Sequence, residues 1–177
     1  MIYLGADHRG FELKEKIKKW LVEWSYQYED MGALEFNKDD DYVDFVSKVG
    51  AKVSEDPENN KGIVLGMSGQ GEAMVANKFK GVRAAVFYGP SYPKKGFKRW
   101  LLVLGGDANV AEGIYDDKLK EVINLSREHN DANVLSLGAS FLHDRAAKHF
   151  VKLWLETKFS GEERHVRRIN KMKEFEK

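Results

Sequence analysis

The sequence predicts an α/β fold in which helices cover both faces of a mostly parallel sheet. Short apolar runs with β-branched residues recur along the chain, and such runs are typical of buried strands. Segments with apolar residues at helical spacing separate them, and strand–helix–strand units of this kind join parallel strands through right-handed crossovers. The chain shows no internal repeat or low-complexity tract, so we expect a single domain over residues 1–177.

Five apolar runs are predicted to form the strands. The first stands at residues 1–6, and the clearest is Gly62-Ile63-Val64-Leu65, in which three branched aliphatic residues follow a glycine. Polar residues or glycines bound these runs, and both are typical of turns. The predicted strands are residues 1–6, 27–31, 62–65, 82–87 and 133–137.

Amphipathic segments predict the helices. Leu13, Ile17, Leu21 and Trp24 recur at helical spacing with Lys and Glu between them, so this helix buries one face. Gly and Pro interrupt residues 89–114 repeatedly, and we expect an elaborated loop there with a short strand or helical turn inside it. The other predicted helices are residues 45–53, 72–79, 116–128, 143–159 and 164–176.

Composition narrows the function classes. The chain carries 29 Lys and Arg residues against 28 Asp and Glu, and this balance gives no general reason to bind nucleic acid or an anionic membrane. Cysteine is absent, which excludes disulfides, thiolate metal sites and a cysteine nucleophile or base. No apolar run approaches the ~20 residues that span a bilayer, and the first residues lack the layout of a signal peptide. We therefore expect a soluble, cytoplasmic protein.

Three polar clusters are the candidates for chemistry, because open parallel sheets bind ligands at the carboxyl ends of their strands. Asp7 and His8 follow the first predicted strand, and residues 68–72 (Ser-Gly-Gln-Gly-Glu) follow the third. The third cluster, residues 129–131 (His-Asn-Asp), stands just before the fifth strand. This loop would need to fold back to reach the same edge of the sheet.

The Gly-rich turn after the third strand matches neither of the phosphate motifs tested. A P-loop needs Gly-Lys-Ser/Thr, which is missing, and a dinucleotide fingerprint needs a third glycine where this chain has Met74. What remains is a strand–turn–helix with exposed amides, which suits a phosphate or a developing oxyanion. The alternative is a tight turn that only lets the helix pack on its strand.

Each candidate side chain also has a purely structural alternative. Glu72 is either a partner of the helix dipole or a general base. In the structural alternative, Asp7 caps the start of a helix and His129 ends a helix. Arg164 and Arg168 lie four residues apart, so they either form a solvated helix face or clamp a phosphate together.

Together these motifs resemble those of the type B ribose-5-phosphate isomerase family, which also includes the galactose-6-phosphate isomerase subunits. The shared segments follow the family's order and span nearly the whole chain. They are Gly5-Ala6-Asp7-His8-Arg9-Gly10-Phe11, residues 62–72 (GIVLGMSGQGE), Ala76-Asn77-Lys78, residues 81–85 (GVRAA), residues 129–135 (HNDANVL) and Arg164-His165-x-x-Arg168. The resemblance implies a flavodoxin-like, three-layer α/β/α sandwich with a five-stranded parallel sheet. It also implies a homodimer or a dimer of dimers with active sites shared between subunits.

The activity that the resemblance implies is aldose–ketose isomerisation of a sugar phosphate, with no metal and no cofactor. Many members use a cysteine base where this chain has Gly66, and a second subgroup uses a glutamate that matches Glu72. The missing cysteine therefore does not imply an inactive enzyme. By the same resemblance, Ser68 and the backbone of Gly69, Gln70 and Gly71 hold the enediolate oxygen.

The resemblance implies further roles at the sugar ring and at the phosphate. His129 is the acid that opens the ring, and Asp7 contacts the ring oxygen or a hydroxyl. Asn130 binds sugar hydroxyls. The phosphate is held by His8, Arg164 and Arg168, with one set of residues supplied by the partner subunit.

The sequence departs from the family pattern in three places, and the missing arginine and the long segment concern the identity of the substrate more than the type of reaction. Ser140 stands where the family has an arginine, and Tyr42-Val43-Asp44 stands where it has Tyr-Pro-Asp. A segment at about residues 89–118 is longer than the family's usual connection at this place. Its basic residues either replace the missing arginine or form a solvated loop. These residues are Lys94, Lys95, Lys98 and Arg99. The C-terminal helix is expected at about residues 162–176.

We expect the chain to interconvert ribose 5-phosphate and ribulose 5-phosphate through a cis-enediolate. One alternative is isomerisation of another four- to six-carbon sugar phosphate, such as galactose 6-phosphate, allose 6-phosphate or a tetrose phosphate. The other is a non-catalytic subunit of such an enzyme, which the joint presence of catalytic and phosphate-binding residues disfavours. Nucleic-acid binding is disfavoured too, because aromatic and basic residues interleave only at residues 97–100.

Overall fold

A five-stranded parallel sheet forms the centre of the molecule. The computed structural model describes residues 1–89 and 108–176, with side chains described outside residues 108–116. The strands are β1 (Ile2–Ala6), β2 (Tyr28–Asp30), β3 (Lys61–Gly66), β4 (Ala84–Phe87) and β5 (Val134–Gly138). They are all parallel and lie in the order β2-β1-β3-β5-β4. The predicted parallel α/β sheet is confirmed.

Helices cover both faces of this sheet. They are α1 (Phe11–Glu23), α2 (Tyr42–Glu55), α3 (Gln70–Ala76), α4 (Ala108–Glu128), α5 (Asp144–Glu156) and α6 (Glu163–Lys173), with a short 3-10 helix at Ala139–Phe141. Within the described part of the chain, no helix combines the length and the apolar character that crossing a bilayer demands.

Alternating side chains on the strands build one core on each face. On β3, Ile63 and Leu65 pack with residues of α1, α4 and α5, whereas Val64 packs with residues of α2 and α3. Each of these three side chains is fully buried, because successive residues of a strand point to opposite faces of a sheet that is covered twice. The three-layer sandwich follows from this alternation.

Several element boundaries differ from the predictions because contacts between elements override the local pattern. β4 begins at Ala84 rather than at residue 82, since the backbone amide of Arg83 donates to the side chain of Asn133 at 2.7 Å. α2 begins at Tyr42 rather than at residue 45, because the Asp41 side chain caps it. α4 begins at Ala108, so residues 108–114, predicted as part of a loop, are helical. The rest of that predicted loop, residues 90–107, lies outside the described residues.

The position of β5 brings two turns together at the carboxyl edge. β5 lies between β3 and β4, so the last two strands are exchanged relative to the flavodoxin order 2-1-3-4-5. In the register of the sheet Gly66 pairs with Gly138. The turn that follows β3 and the 3-10 helix that follows β5 are therefore neighbours.

Candidate functional site

The Gly-rich turn between β3 and α3 is anchored on the end of β5. Gly69 adopts a left-handed conformation with φ of 77°, and the fully buried hydroxyl of Ser136 donates to its carbonyl oxygen at 2.5 Å. The amide of Ser140 donates to the carbonyl of Met67 at 3.2 Å. A Cβ on Gly69 would lie 3.0 Å from the Gly138 nitrogen, so both the φ angle and this close approach require glycine. Ser136 is a supporting residue that the sequence did not reveal, since its partner is 67 residues away.

Glu72 places its carboxylate against Gly66 at the mouth of β3. Only 4% of Glu72 is exposed, and a Cβ on Gly66 would lie 1.5 Å from its Oε1 atom. Burial raises the pKa of Glu72, and the charge of Asp7 raises it further, against backbone hydrogen bonds at Gly69 and Glu72 that lower it. A desolvated carboxylate with a raised pKa is suited to accept a proton from carbon.

Asp7 closes the turn after β1 and stays buried next to this carboxylate. Its Oδ1 atom accepts hydrogen bonds from the amides of Arg9 at 2.9 Å and Gly10 at 3.1 Å. Only 7% of Asp7 is exposed. Asp7 therefore caps the turn that precedes α1 and not α1 itself, because the N-cap residue of α1 is Gly10 and the helix has no side-chain cap.

His8 is oriented by Asp40, a residue that the sequence analysis did not single out. Asp40 Oδ1 accepts from the His8 amide at 2.9 Å and lies 2.7 Å from His8 Nδ1. The Asp40 side chain is 7% exposed, and its Oδ2 atom is buried without a hydrogen-bond partner among the described residues. Three aspartates run in sequence at residues 39–41, so no local signal distinguishes the one that turns inward.

A buried lysine anchors the start of the segment between β2 and α2, which carries Asp40. Lys14 is fully buried, and its Nζ atom bonds both carboxylate oxygens of Asp30, at 2.6 and 2.7 Å, and the carbonyl of Ala33 at 2.6 Å. These bonds fasten the chain that follows β2 onto α1. The loop therefore starts from a fixed point on its way to His8.

Asp7, His8 and Asp40 also offer one ligand atom each within 4.8 Å of one another. A divalent cation accepts such a donor set, but the Asp40–His8 pair and the turn amides at Asp7 already satisfy several of these atoms. The cluster is therefore held together by hydrogen bonds of its own, although Asp40 Oδ2 has no partner among the described residues. The expectation of a metal-free site stays a prediction.

Two tyrosines border the Gly-rich turn. The side-chain amide of Gln70 donates to the Tyr88 hydroxyl, and the Tyr88 ring stands edge-on to Phe141 with centroids 6.0 Å apart. The Tyr42 hydroxyl lies 2.8 Å from where a Cβ on Gly71 would be, which explains the glycine there. The Gln70 side chain is therefore engaged with Tyr88, and the Gln70 backbone amide donates to the Ser68 hydroxyl at 3.3 Å.

The remaining predicted site residues lie at the opposite edge of the sheet. His129 and Asn130 stand between α4 and the start of β5, and Arg164 and Arg168 are exposed on α6. The Arg164 Nε atom is 2.8 Å from a carboxylate oxygen of Glu162. The ring of His165, on α6, stacks on the ring of His129 with centroids 4.1 Å apart.

These two groups do not meet within one chain. β5 has five residues, and a parallel strand rises about 3.3 Å per residue, so the two edges are on the order of 15 Å apart. Residues 129–131 do not fold back to the carboxyl edge, which they would need to do to complete a site within one chain. A dense set of hydrogen bonds holds this segment at the amino edge instead.

That set of hydrogen bonds centres on Asp131. Its carboxylate is 2.9 Å from Arg83 on one oxygen and 2.9 Å from Arg127 on the other, and its φ is 44°. Asn133 bonds the carbonyls of Pro57 and Gly81. The motif residues Arg83 and Asp131 thus fix the conformation that presents His129.

Two further expectations concern the arginine that this chain lacks at Ser140 and the basic residues that could replace it. Ser140, which stands where the resembled family has an arginine, is exposed beside the Gly-rich turn, so an arginine at this position would be close to the site. The four basic residues considered as its replacement lie outside the described residues. They are Lys94, Lys95, Lys98 and Arg99.

The family model, the related sequences and the solved structures that match this chain all point to the same family. The sequence profile described as Ribose/Galactose Isomerase matches residues 2–95 and 118–172. Ribose-5-phosphate isomerase B of Mycobacterium tuberculosis (strain H37Rv) is 32% identical over 176 residues, which cover 99% of this chain and 90% of that protein.

Solved structures agree with the sequence comparison. The crystal structure of ribose-5-phosphate isomerase B from Mycoplasma genitalium with bound ribulose-5-phosphate has a TM-score of 0.79 and 30% identity, covering 99% of this chain and 95% of that one. Ribose-5-phosphate isomerase B of Clostridium thermocellum has a TM-score of 0.77 and 32% identity, covering 99% and 96%.

Proposed function

Because this chain belongs to the ribose/galactose isomerase family, we propose that it is an aldose–ketose isomerase that interconverts ribose 5-phosphate and ribulose 5-phosphate. The observation that carries the proposal is the Glu72 carboxylate, buried against Gly66 with a raised pKa beside the Gly-rich turn. The relative from Mycoplasma genitalium, whose structure holds ribulose-5-phosphate, supports this substrate.

The chemistry is a proton transfer between neighbouring carbons. Glu72 removes the proton from C2 of the open-chain aldose, and the electron pair moves to the carbonyl oxygen to give a cis-enediolate. The protonated Glu72 then returns the proton to C1, and the C2 hydroxyl passes its proton to the oxygen on C1, so that the carbonyl stands at C2 and the ketose is formed. Ser68 and the backbone amides of Gly69, Gln70 and Gly71 stabilise the oxygen on which negative charge develops. No electrons leave the substrate, so the reaction calls for no redox cofactor.

The other predicted residues bind the sugar and open its ring. His129 is the acid–base group for ring opening, Asp7 contacts the ring oxygen or a hydroxyl, and Asn130 binds sugar hydroxyls. The phosphate is bound by His8, Arg164 and Arg168, whose positive charge and donor geometry suit it.

The separation of these groups supports a site shared between two copies of the chain. The carboxyl edge of one subunit supplies Asp7, His8, Ser68 and Glu72. The amino edge of a second copy supplies the residues that lie too far away in the first, namely His129, Asn130, Arg164 and Arg168. A homodimer, or a dimer of dimers, is the assembly that we propose. We place it in the cytoplasm, since a charged sugar phosphate does not cross membranes unaided.

The residue at position 140 favours keeping a second sugar phosphate as a candidate substrate. The exposed Ser140 beside the turn offers no cation where the family has an arginine. A pocket changed in this way would favour another sugar phosphate of four to six carbons. Competition between ribose 5-phosphate and galactose 6-phosphate, allose 6-phosphate or a tetrose phosphate measures which substrate has the highest kcat/KM.

The Glu72→Gln variant tests the proposed base. We expect turnover of ribose 5-phosphate to fall by about a hundred-fold or more, whereas binding of ribulose 5-phosphate measured by calorimetry stays within a few-fold. The control is Glu12→Gln, the same change in the first turn of α1 at an exposed position, which should leave turnover unchanged. Full turnover in Glu72→Gln would remove Glu72 as the base.

A further inference from the structure

His165 is the member of the Arg164-His165-x-x-Arg168 motif that the proposed function leaves without a role. Arg164 and Arg168 are exposed on α6, whereas His165 and Ile169 are 2% and 8% exposed. His165 and Ile169 are four residues apart, so they lie on one face of the helix. This face docks α6 on the rest of the chain, and the arginines lie outside it.

The docking face of α6 meets the end of α4 through His165. The rings of His165 and His129 are stacked, with centroids 4.1 Å apart and an angle of 16° between their planes. Ser160, in the connection between α5 and α6, donates from its amide at 3.1 Å and from its hydroxyl at 2.7 Å to the carbonyl of Glu128. The start of α6 is therefore fastened directly beside His129.

The surroundings of His165 favour a neutral ring. Burial lowers the pKa of His165, and His129, Arg164 and Arg168 lower it further, while Glu162 acts in the opposite direction. The Nε2 atom lies 3.9 Å from the Glu162 carboxylate, beyond hydrogen-bonding distance, and has no hydrogen-bond partner among the described residues. A neutral ring can stay stacked when His129 carries a proton, whereas a second cation at this distance would be repelled.

We propose that His165 is a positioning residue, which holds the ring of His129 in a fixed orientation relative to Arg164 and Arg168. The inference rests on the proposed function, in which His129 opens the sugar ring and the two arginines bind the phosphate. His165 makes the acid and the phosphate clamp parts of one rigid unit. When the clamp holds the phosphate, the imidazole of His129 is then already placed for the ring oxygen.

Two substitutions at His165 separate the ring contact from other roles. His165→Gln removes the ring but keeps a polar side chain, and we expect kcat for ribose 5-phosphate to fall by about ten- to a hundred-fold, since small misplacements of a catalytic group have effects of this size. KM should change by less than about three-fold. His165→Phe keeps a flat ring against His129, and we expect it to restore kcat to within about three-fold of the unsubstituted enzyme.

The control is Ile169→Ala, which loosens the same face of α6 one turn away from His165. We expect it to lower Tm at least as much as His165→Gln while kcat stays within about two-fold. Equal losses of kcat in Ile169→Ala and His165→Gln would overturn the proposal, because the effect would then come from helix docking alone. The same conclusion follows if His165→Phe is as impaired as His165→Gln.

Nuclear magnetic resonance gives a readout that does not depend on activity. The chain has five histidines, so their ring protons can be assigned by substitution. We expect cross-relaxation between the ring protons of His129 and His165, and an upfield shift of the His129 Hε1 resonance that His165→Phe retains. Absence of both signals would overturn the stacking, whether or not His165→Gln folds.

A parallel assay of His129→Gln keeps the inference distinct from the proposed function. An impaired His129→Gln variant beside a fully active His165→Gln variant would overturn the positioning role alone. If His129→Gln retained full turnover, or if the unsubstituted protein isomerised no sugar phosphate, the proposed function itself would be wrong.

Discussion

Glu72 and Gly66 illustrate how one missing side chain makes room for a reactive group. The Oε1 atom of Glu72 lies where the first side-chain atom of residue 66 would be, at 1.5 Å. The resemblance implies that other family members carry a cysteine base at this position. A side chain at residue 66 and the observed position of Glu72 exclude one another, so the two kinds of base are alternatives for one place.

The Gly66→Ala variant tests this exclusion. The new methyl group must displace the Glu72 carboxylate, which is the end of a flexible side chain, so we expect the fold to persist while kcat falls by about a hundred-fold. In the Glu72→Ala background the same methyl group finds space. Urea unfolding of the two single variants and the double variant should therefore show a favourable coupling between the substitutions. Unchanged kcat in Gly66→Ala would contradict the assigned position of the base.

The raised pKa of Glu72 also predicts how stability depends on pH. A carboxyl group whose pKa is raised by folding stabilises the native state only below its ordinary pKa in the unfolded chain, and this contribution is lost as the pH rises through the raised native value. Glu72→Gln has no charge to bury. We therefore expect it to gain Tm relative to the unsubstituted protein between pH 4 and pH 8.

Thermal unfolding over that pH range measures the difference. The exposed Glu12→Gln variant is the control and should show no such trend. A Tm difference between Glu72→Gln and the unsubstituted protein that stays constant, or that shrinks as the pH rises, would show that burial does not raise the pKa of Glu72.

At the scale of elements, the Gly-rich turn depends on a strand that is distant in sequence. Ser136 lies in the middle of β5 on the face that packs against α2 and α3, and its hydroxyl holds the carbonyl of Gly69. This bond directs the Gly69 carbonyl into the protein. The turn that carries Ser68 and the amides of Gln70 and Gly71 is thereby held in place.

We expect Ser136→Ala to impair catalysis more than substrate binding. Loss of one buried hydrogen bond should lower the free energy of unfolding by about 1–2 kcal/mol, and a mobile turn should lower kcat by about ten-fold with little change in KM. Urea unfolding and steady-state kinetics measure the two effects. Ser126→Ala, which removes a hydroxyl bonded within α4, is the control, and an equal loss of kcat there would contradict the role of Ser136.

At the scale of the molecule, the features that local sequence determines were predicted correctly. Apolar runs such as Ile63–Leu65 become strands because they are buried on both faces, and the period of Leu13, Ile17 and Leu21 places one face of α1 in the core. Its place in the first turn of a helix after a Gly-rich turn made Glu72 a candidate base, while a partner of the helix dipole stayed the alternative, and its role remains a prediction. These inferences need only neighbouring residues.

The features that arise from distant contacts were not predictable in this way. Nothing local places β5 between β3 and β4, and this placement brings Ser136 to Gly69. Asp40 is one of three consecutive aspartates, and only the tertiary structure directs it to His8. The distance between the two groups of predicted site residues likewise depends on the tertiary structure, which keeps His129 at the amino edge of the sheet.

That distance makes the sharing of sites testable in mixed assemblies. In a dimer of Glu72→Gln and His129→Gln chains, one shared site carries both substitutions and the other carries neither. Each variant alone should be inactive, whereas co-expressed chains with different tags, purified through both tags, should recover about half of the activity of the unsubstituted dimer. A site formed within one chain would leave every site defective, and the mixed dimer would then stay inactive.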